Sequence, residues 1–353
     1  MKLCCRICAI MIKNIVLVVC LLRCSSAVIT TNSTSDQIIY LTTEEKYQAI
    51  CVMDINGRNT RELYRDYGKH LSTSLAVSED GKWLAFLKGN KDMPGIDYPY
   101  AASIINLLNL NNLKVLEIEK EQPYDIPSYS WSPVSNQIAY PDLHGNLYVY
   151  DADGGSKRIV VTGDSLSLSE HVRWSPDGWR LAGIQASRLI NVITLDNPVP
   201  LSINAVDYES GPIQGMIWLT DQELLFFPNE KGLFKINVTT REKATFDQHQ
   251  TLEIALSPDR QLIAAVQEDN SGSDFSAANI YTFGIDGFNR KRLTDRATNG
   301  EPCWSSDNRR ILFTSNRDGH AEIYIMDVDG QNQTRLTYTR NGDSYNPVWV
   351  KRH

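Results

Sequence analysis

The sequence predicts an all-β fold made of a repeated four-stranded unit, and three observations lead to this prediction. Short apolar segments rich in Ile, Val, Leu, Phe and Tyr alternate with turns such as "PDG", "DADG" and "DVDG". A unit with a Trp or Leu, a Ser/Pro/Asp turn and an apolar run recurs along the chain. Beyond the first 27 residues, no stretch carries a helical apolar period over several turns.

The repeated unit has one anchor position, and the spacing of the anchors sets the period. Copies such as "SWSPVSNQIAY", "RWSPDGWRLAG" and "CWSSDNRRILF" align on it. The anchors are Val77, Trp131, Trp174, Trp218, Leu256, Trp304 and Trp349. Their successive spacings of 54, 43, 44, 38, 48 and 45 residues are typical of four-stranded propeller blades. The sequence therefore predicts a seven-bladed β-propeller of antiparallel blades, with six blades as the alternative.

The two ends of the chain each hold an incomplete copy of the unit. The last copy, "NPVWV", supplies one strand, and the first, from Ile38 to Leu63, supplies three. We expect the ends to pair and close the ring, which leaves no long strand edge unpaired. Closure also explains why "ICVMDINGRNTREL" (50–63) resembles "IYIMDVDGQNQTRL" (323–336): both are third and fourth strands, in neighbouring blades.

Residues 1–27 have the layout of a secretory signal peptide. Lys2, Arg6 and Lys13 flank the start of the apolar run Ile15–Leu22, and small residues end the segment at Ala27. The run is shorter than the about 20 apolar residues that a membrane-spanning helix needs. We expect a cleaved signal at 1–27, a short linker at 28–37 and the propeller at 38–353. An uncleaved anchor, or lipidation at Cys20 or Cys24, is the alternative.

Charge and cysteine content exclude some functions. The net charge is −7, and loss of the four basic residues of the signal segment would make it more negative. Nucleic acid is a poor partner for such a chain, because binding depends on Lys and Arg neutralising phosphates. Only Cys51 and Cys303 follow the signal segment, so we expect two free thiols and no disulfide framework. We also expect a monomer.

The repeats resemble those of a known family. "RWSPDGWRLAGI" and "ILFTSNRDGHAEIYIMDVDGQNQTRLT" are similar to repeats of the TolB-type propellers, and the resemblance extends over residues 36–353. It implies the fold but not a role in a Tol system, since TolB has six blades. The repeats also resemble the propeller of prolyl oligopeptidases, but the sequence holds no "GxSxG", P-loop, "GxGxxG" or "HExxH" motif.

Polar residues of candidate function gather on one face of the predicted ring. This face, here called the loop face, carries the loops that lead into the innermost strands and the loops between second and third strands. Five histidines map to it: His70, His144, His171, His249 and His320. One interpretation is a metal or proton-transfer site, as in the propeller-fold oligogalacturonate lyases that this architecture resembles. The other is that histidine is simply tolerated in polar loops.

A second set lies three positions before each anchor and should surround the mouth of the central channel. Its members are Ser74, Ser128, His171, Gly215, Glu253, Glu301 and Asn346. Four of them, His171, Glu253, Glu301 and Asn346, have side chains that coordinate cations or hold polar ligands. Alternatively, an acidic residue at this position bonds the backbone of the adjoining loop.

Two insertions extend the loop face, at Lys88–Ser103 and Glu268–Asn279. They contribute acidic and aromatic side chains, namely Asp97, Tyr98, Tyr100, Asp274 and Phe275. Such a mixture suits a polar, basic or carbohydrate partner, although solvated loops with incidental aromatics are the alternative.

The sequence thus predicts an exported, non-catalytic propeller that binds a protein or peptide through its loop face, without a cofactor. Export would place it in the periplasm, on the cell surface or outside the cell, with membrane anchoring as the alternative. The competing hypothesis is a propeller-fold lyase or hydrolase that acts on a sugar-acid-like substrate, with a divalent metal at the channel mouth.

Overall fold

Seven antiparallel sheets of four strands each form the described part of the computed structural model. The structure describes residues 35–68, 71–89, 103–118, 129–142, 144–163, 170–206, 211–228, 232–268 and 278–351. These ranges contain strands, turns and bends but no helix. The all-β prediction and the count of seven blades are confirmed, and the six-bladed alternative is wrong.

The strands follow the chain blade by blade. Strands β1 (Gln37–Thr43), β2 (Gln48–Asp54) and β3 (Arg61–Asp66) belong with the last strand, β28 (Asp343–Val350), to blade 7. Blade 1 consists of β4 (Leu71–Val77), β5 (Trp83–Gly89), β6 (Ser103–Asn109) and β7 (Val115–Glu117). Blade 2 consists of β8 (Ser130–Trp131), β9 (Gln137–Pro141), β10 (Leu147–Asp151) and β11 (Lys157–Val161). Blade 3 consists of β12 (Glu170–Trp174), β13 (Arg180–Gln185), β14 (Leu189–Thr194) and β15 (Leu201–Asn204).

The remaining blades repeat this order. Blade 4 consists of β16 (Ile213–Trp218), β17 (Glu223–Pro228), β18 (Leu233–Asn237) and β19 (Lys243–Asp247). Blade 5 consists of β20 (Thr251–Leu256), β21 (Leu262–Glu268), β22 (Ala278–Gly284) and β23 (Lys291–Arg292). Blade 6 consists of β24 (Asn299–Trp304), β25 (Arg310–Ser315), β26 (Glu322–Asp327) and β27 (Thr334–Arg335).

Blade 7 closes the ring as predicted. The C-terminal strand β28 pairs antiparallel with β1, and the register sets Ile38 opposite Trp349 and Leu41 opposite Tyr345. Asp36, just before β1, accepts the indole N–H of Trp349 at 2.7 Å. The first and last strands of the propeller are therefore joined by both a strand ladder and a side-chain bond.

The core lies between the blades. Second and third strands read as apolar runs because both of their faces are covered by neighbouring blades. In β21, for example, Ile263, Ala264, Ala265 and Val266 are all buried. One apolar cluster joins Ala139 and Val149 of blade 2 to Trp174 and Leu181 of blade 3, and similar clusters follow around the ring.

The anchors hold adjacent blades together through one recurring hydrogen bond. The indole N–H of an anchor Trp donates to the carbonyl of the residue before the anchor of the preceding blade. The four pairs are Trp131 to Ala76 (3.0 Å), Trp174 to Ser130 (3.0 Å), Trp218 to Arg173 (3.1 Å) and Trp304 to Ala255 (3.1 Å). Where Leu256 replaces Trp, the guanidinium of Arg260 donates to the Leu219 carbonyl of blade 4 instead, at 3.1 Å.

The similar segments near the two ends fold into matching turns. Asn59 and Asn332 both have a φ of 55°, and each donates its side-chain amide to an aspartate five residues earlier at 2.6 Å. Gly57 and Gly330 have φ of 77° and 85°, which a glycine adopts without strain. These turns join third to fourth strands, so they lie on the opposite side of the ring from the loop face. We call that side the turn face.

Cys51 and Cys303 are both free thiols in the described structure. Burial raises the pKa of the Cys303 thiol to about 11, and burial together with Glu62 raises that of Cys51 to about 12. Neither thiol is a thiolate at neutral pH, so neither is an activated nucleophile.

Candidate functional site

Only part of the predicted site falls within the described residues. His70, Asp97, Tyr98, Tyr100, Ser128, Asp274 and Phe275 lie outside them, and of Ser74 only the strand backbone is described. Gly215 lies in β16, where an added Cβ would stand 2.6 Å from the ring of Phe227, so the site has no room for a side chain. The remaining members of the ring are His171, Glu253, Glu301 and Asn346.

Three of these residues occupy the same backbone irregularity. His171, Glu301 and Asn346 have φ of 51°, 54° and 53°, in the left-handed region. At each of them the register between the innermost strand and its neighbour shifts, which is the pattern of a β-bulge. The strain of a left-handed non-glycine residue, about 1 kcal/mol, must be offset by contacts nearby.

In blades 5 to 7 those contacts form a chain of hydrogen bonds from one blade to the next. The backbone N–H of Glu301 donates to Glu253 Oε2 at 2.6 Å. The backbone N–H of Asn346 donates in turn to Glu301 Oε2 at 2.5 Å, and the Thr314 hydroxyl donates to the same oxygen at 2.5 Å. Each carboxylate thus accepts a hydrogen bond from the backbone N–H at the bulge of the following blade and stabilises that bulge. This arrangement is the backbone-bonding alternative that the sequence left open for these acidic residues.

The same two glutamates line a cleft of about 360 Å³ between blades 5 and 6, here called the loop-face cleft. Its lining residues are Leu252, Glu253, Val266, Ala278, Thr298, Asn299, Gly300, Glu301, Thr314, Asn316, Ala321 and Tyr345. None of these described lining residues is Lys or Arg. Within the described structure, Oε1 of Glu253 and Oε1 of Glu301 have no hydrogen-bond donor. Two acceptors are therefore available in the cleft, and no described lining residue brings a cation to them.

Burial shifts both carboxyl groups toward neutral pH. The pKa of Glu253 rises to about 7, chiefly because burial penalises its charged form and further because Glu301 repels it. Burial also raises the pKa of Glu301, against the hydrogen bonds from Thr314 and Asn346. At neutral pH Glu253 is therefore poised to exchange a proton.

The histidines of the loop face do not assemble into one cluster in the described structure. Burial, with repulsion from Arg173, lowers the pKa of His171 to about 4, so its ring is neutral at pH 7. His249 Nδ1 lies 2.5 Å from Asp247 Oδ1, and His320 Nε2 lies 2.8 Å from the Thr339 carbonyl. His144 lies in the turn between β9 and β10. Among described residues, no three His, Cys, Asp or Glu side chains come close enough to hold a metal ion.

Sequence reasoning missed a fully buried carboxylate, Glu322, at the start of β26. Its oxygens accept from the Arg335 guanidinium at 2.6 Å, from the Thr339 backbone N–H at 2.6 Å and from the Thr337 hydroxyl. A signal for it was present, since "RLT" occurs at 335–337 and again at 292–294. In that earlier copy Thr294 donates to Asn279 at 3.0 Å, so the repeat marks a structural bond that keeps third and fourth strands together.

Comparison with known proteins agrees with this geometry. A family model described as "TolB beta propeller domain" matches residues 225–353. This chain carries a TolB-like β-propeller. The Tol-Pal system protein TolB of Geobacter sulfurreducens is 37% identical over 73 residues, which is 21% of this chain and 17% of that protein. The aligned part is thus a small fraction of the relative's length.

Solved structures extend the likeness over most of the ring. The superposition with TolB from Acinetobacter baumannii covers 90% of this chain and 67% of the TolB chain, with a TM-score of 0.58 and 15% sequence identity. An oligogalacturonate lyase in complex with manganese superposes on 86% of this chain and 85% of its own, with a TM-score of 0.57 and 13% identity. At such identities these likenesses concern the fold alone.

Proposed function

We propose that this TolB-like protein is an exported, non-catalytic module that holds a protein or peptide partner on its loop face. The observation that supports the proposal is the loop-face cleft, where two glutamate oxygens are available and none of the described lining residues is a cation. A partner that brings a Lys or Arg side chain supplies the missing charge.

The walls of the cleft suit the stem of such a side chain. Leu252, Val266 and Ala278 are apolar, and Leu252 is 37% exposed at the opening. Lys and Arg cover apolar surface with their methylene groups while the charged end reaches polar partners. Charge-assisted hydrogen bonds to carboxylates are stronger than neutral ones. We therefore infer a basic side chain, held by Glu253 and Glu301, as the main contact.

The second insertion supports the same location. Glu268–Asn279 was predicted to extend the loop face, and its last residues return to β22 at Ala278, which lines the cleft. A partner bound in the cleft therefore lies beside the first residue of β22, whereas Asp274 and Phe275 lie outside the described residues.

A non-catalytic role is supported by what the glutamates already do. One oxygen of each carboxylate is used by a backbone N–H of the following blade, so both side chains stabilise the inner ring. Export rests on the signal-like segment 1–27, which lies outside the described residues. Within the described ranges, no helix is long and apolar enough to cross a bilayer.

The test uses two fluorescein-labelled hexapeptides that differ only in a central Lys or Glu. We expect the Lys peptide to bind, and Glu253→Gln to weaken it by at least about tenfold, because a charged hydrogen bond contributes about 1.5–3 kcal/mol. Binding should tighten as the pH rises through about 7, where Glu253 loses its proton. Glu242→Gln, an exposed site in the turn between β18 and β19, is the matched control. Equal binding of both peptides would reject the cleft as a basic-residue site.

A further inference from the structure

Two exposed apolar side chains lie together on the turn face, where blades 2 and 3 meet. Val134 is 65% exposed and Trp179 is 62% exposed. Both line a cavity of about 590 Å³, here called the turn-face groove. Its lining residues are Ser132, Val134, Ser135, Gln137 and Arg158 of blade 2 with Asp177, Gly178, Trp179, Leu195 and Asp196 of blade 3.

Val134 departs from the pattern of its own repeat. Three positions after the anchor, the other copies with a first-to-second turn have Asp80, Asp177, Asp221, Asp259 and Asp307. In four of them a serine hydroxyl donates to this aspartate, from Ser78 (2.7 Å), Ser175 (2.5 Å), Ser257 (2.6 Å) and Ser305 (2.6 Å). Blade 2 retains the serine, Ser132, but gives up the aspartate for an exposed valine.

Trp179 departs from the repeat in the same way. Five positions after the anchor, the other copies have polar residues: Lys82, Asn136, Glu223, Gln261 and Arg309. Only blade 3 places a large aromatic side chain there. The two exceptional turns touch, since a Cβ added to Gly178 would stand 2.4 Å from Val134 Cγ2. Two polar-to-apolar departures therefore meet on one surface, which the fold of a single blade does not require.

The groove also carries one positive side chain, Arg158, and two negative ones, Asp177 and Asp196. Arg158 on blade 2 and Asp196 on blade 3 are both exposed. Neither forms a salt bridge or a side-chain hydrogen bond within the described structure. Asp177, in contrast, is already engaged by Ser175 and by the backbone N–H of Trp179, and its charge is paired with the Arg180 guanidinium at 3.7 Å. The apolar centre is thus bounded by an available cation on one blade and an available anion on the other.

We propose, in place of the monomer expected from the sequence, that the turn-face groove binds a second copy of this chain in a two-fold dimer. In such an interface the same patch is used by both subunits, so a residue on one side meets the residue across the axis. A two-fold axis near Trp179 brings Arg158 of each subunit to Asp196 of the other and buries both indole rings. Because the two charges cancel, the patch adds no repulsion in a chain whose net charge is −7. A partner whose charges were all of one sign would instead fit a patch whose charges were all of the opposite sign.

This dimer is independent of the peptide site proposed above. The loop-face cleft lies at the start of the innermost strands of blades 5 and 6, whereas the groove lies in the turns of blades 2 and 3. Either interaction can fail without affecting the other.

The first test measures the oligomeric state of the full-length chain by sedimentation velocity over a range of protein concentrations. We expect a concentration-dependent dimer, and Trp179→Ser should raise its dissociation constant by at least about tenfold, as expected for a central aromatic contact. Phe288→Ser is the matched control, because Phe288 is an equally exposed aromatic (70%) in a turn of blade 5. Both variants retain the apolar run of residues 15–22, so association through that segment affects them alike.

A charge exchange tests the pairing itself. Arg158→Glu and Asp196→Lys each place like charges across the axis and should weaken the dimer, whereas the double variant should recover it. Thermal unfolding of each variant verifies that the propeller remains folded. A wild-type chain that stays monomeric at every concentration overturns the proposal and leaves the groove to a different partner. So does a dimer that Trp179→Ser leaves unchanged, or a folded double variant that fails to recover.

Discussion

The raised pKa of Glu253 predicts an unusual dependence of stability on pH. Glu253 is largely buried, accepts the Glu301 backbone N–H at 2.6 Å and has no described cation beside it. Glu253→Gln retains the shape of the side chain and an oxygen that accepts the same N–H. It removes the charge and replaces one carboxyl oxygen by an NH2 group, so the pH-dependent part of its effect on stability isolates the cost of ionising this group in the folded protein.

The magnitude and the sign follow from linkage. The folded pKa of about 7 exceeds the ordinary value of 4.5, so between these pH values the folded protein binds more protons than the unfolded chain. The contribution of Glu253 to the free energy of unfolding therefore falls as the pH rises from 4.5 to about 7. Since one pKa unit corresponds to about 1.4 kcal/mol, the total loss is at most about 3 kcal/mol. Below 4.5 the penalty is absent.

The assay is guanidinium unfolding of wild type and Glu253→Gln from about pH 4 to about pH 8. We expect the difference in stability between variant and wild type to be smallest near pH 4 and to grow in favour of the variant by up to about 3 kcal/mol near pH 8. Glu242→Gln should follow the wild-type curve throughout. Parallel curves for wild type and Glu253→Gln would refute the argument, because they would mean that Glu253 titrates alike in the folded and unfolded chain.

Three further outcomes follow from the structure. Trp304→Phe should lower the free energy of unfolding by about 1–3 kcal/mol, because it removes the indole hydrogen bond to the Ala255 carbonyl. Trp179→Phe, at an exposed site, should change the free energy of unfolding by less than about 0.5 kcal/mol. Equal effects of the two variants in chemical denaturation would contradict the anchor role of Trp304. Val134→Asp should stabilise the chain by about 1 kcal/mol by giving Ser132 its missing acceptor, and should weaken the dimer. Excess Mn²⁺ should leave the melting temperature unchanged, and a rise of several degrees would favour the lyase alternative.

The fold could be predicted from the sequence because a propeller repeats a local pattern. Four of the anchors are followed by a turn whose serine and aspartate bond each other, and Gly57 and Gly330 mark matching turns by their positive φ. These interactions span a few residues, so they are visible in any one copy. Ring closure was also predictable, because three strands at one end and one at the other add up to a blade.

The candidate site was only half predictable. Counting from the anchors placed Glu253, Glu301 and Asn346 at equivalent positions, and it left open whether the acidic side chains hold a ligand or bond the adjoining backbone. Their hydrogen bonds run between residues 48 and 45 positions apart, and they depend on bulges that no local pattern announces. The histidines show the opposite error, since a shared face did not bring the described ones together.

The sequence by itself determined the strand order, the blade count and the face on which each loop lies, because repeat period and turn chemistry are local. Tertiary structure alone decided which side chains meet across blades. It joined Glu253 to the backbone of Glu301 and set Val134 beside the turn of Trp179. Such contacts depend on the rotation from one blade to the next, and that rotation is set by packing in the core between blades rather than by any single repeat.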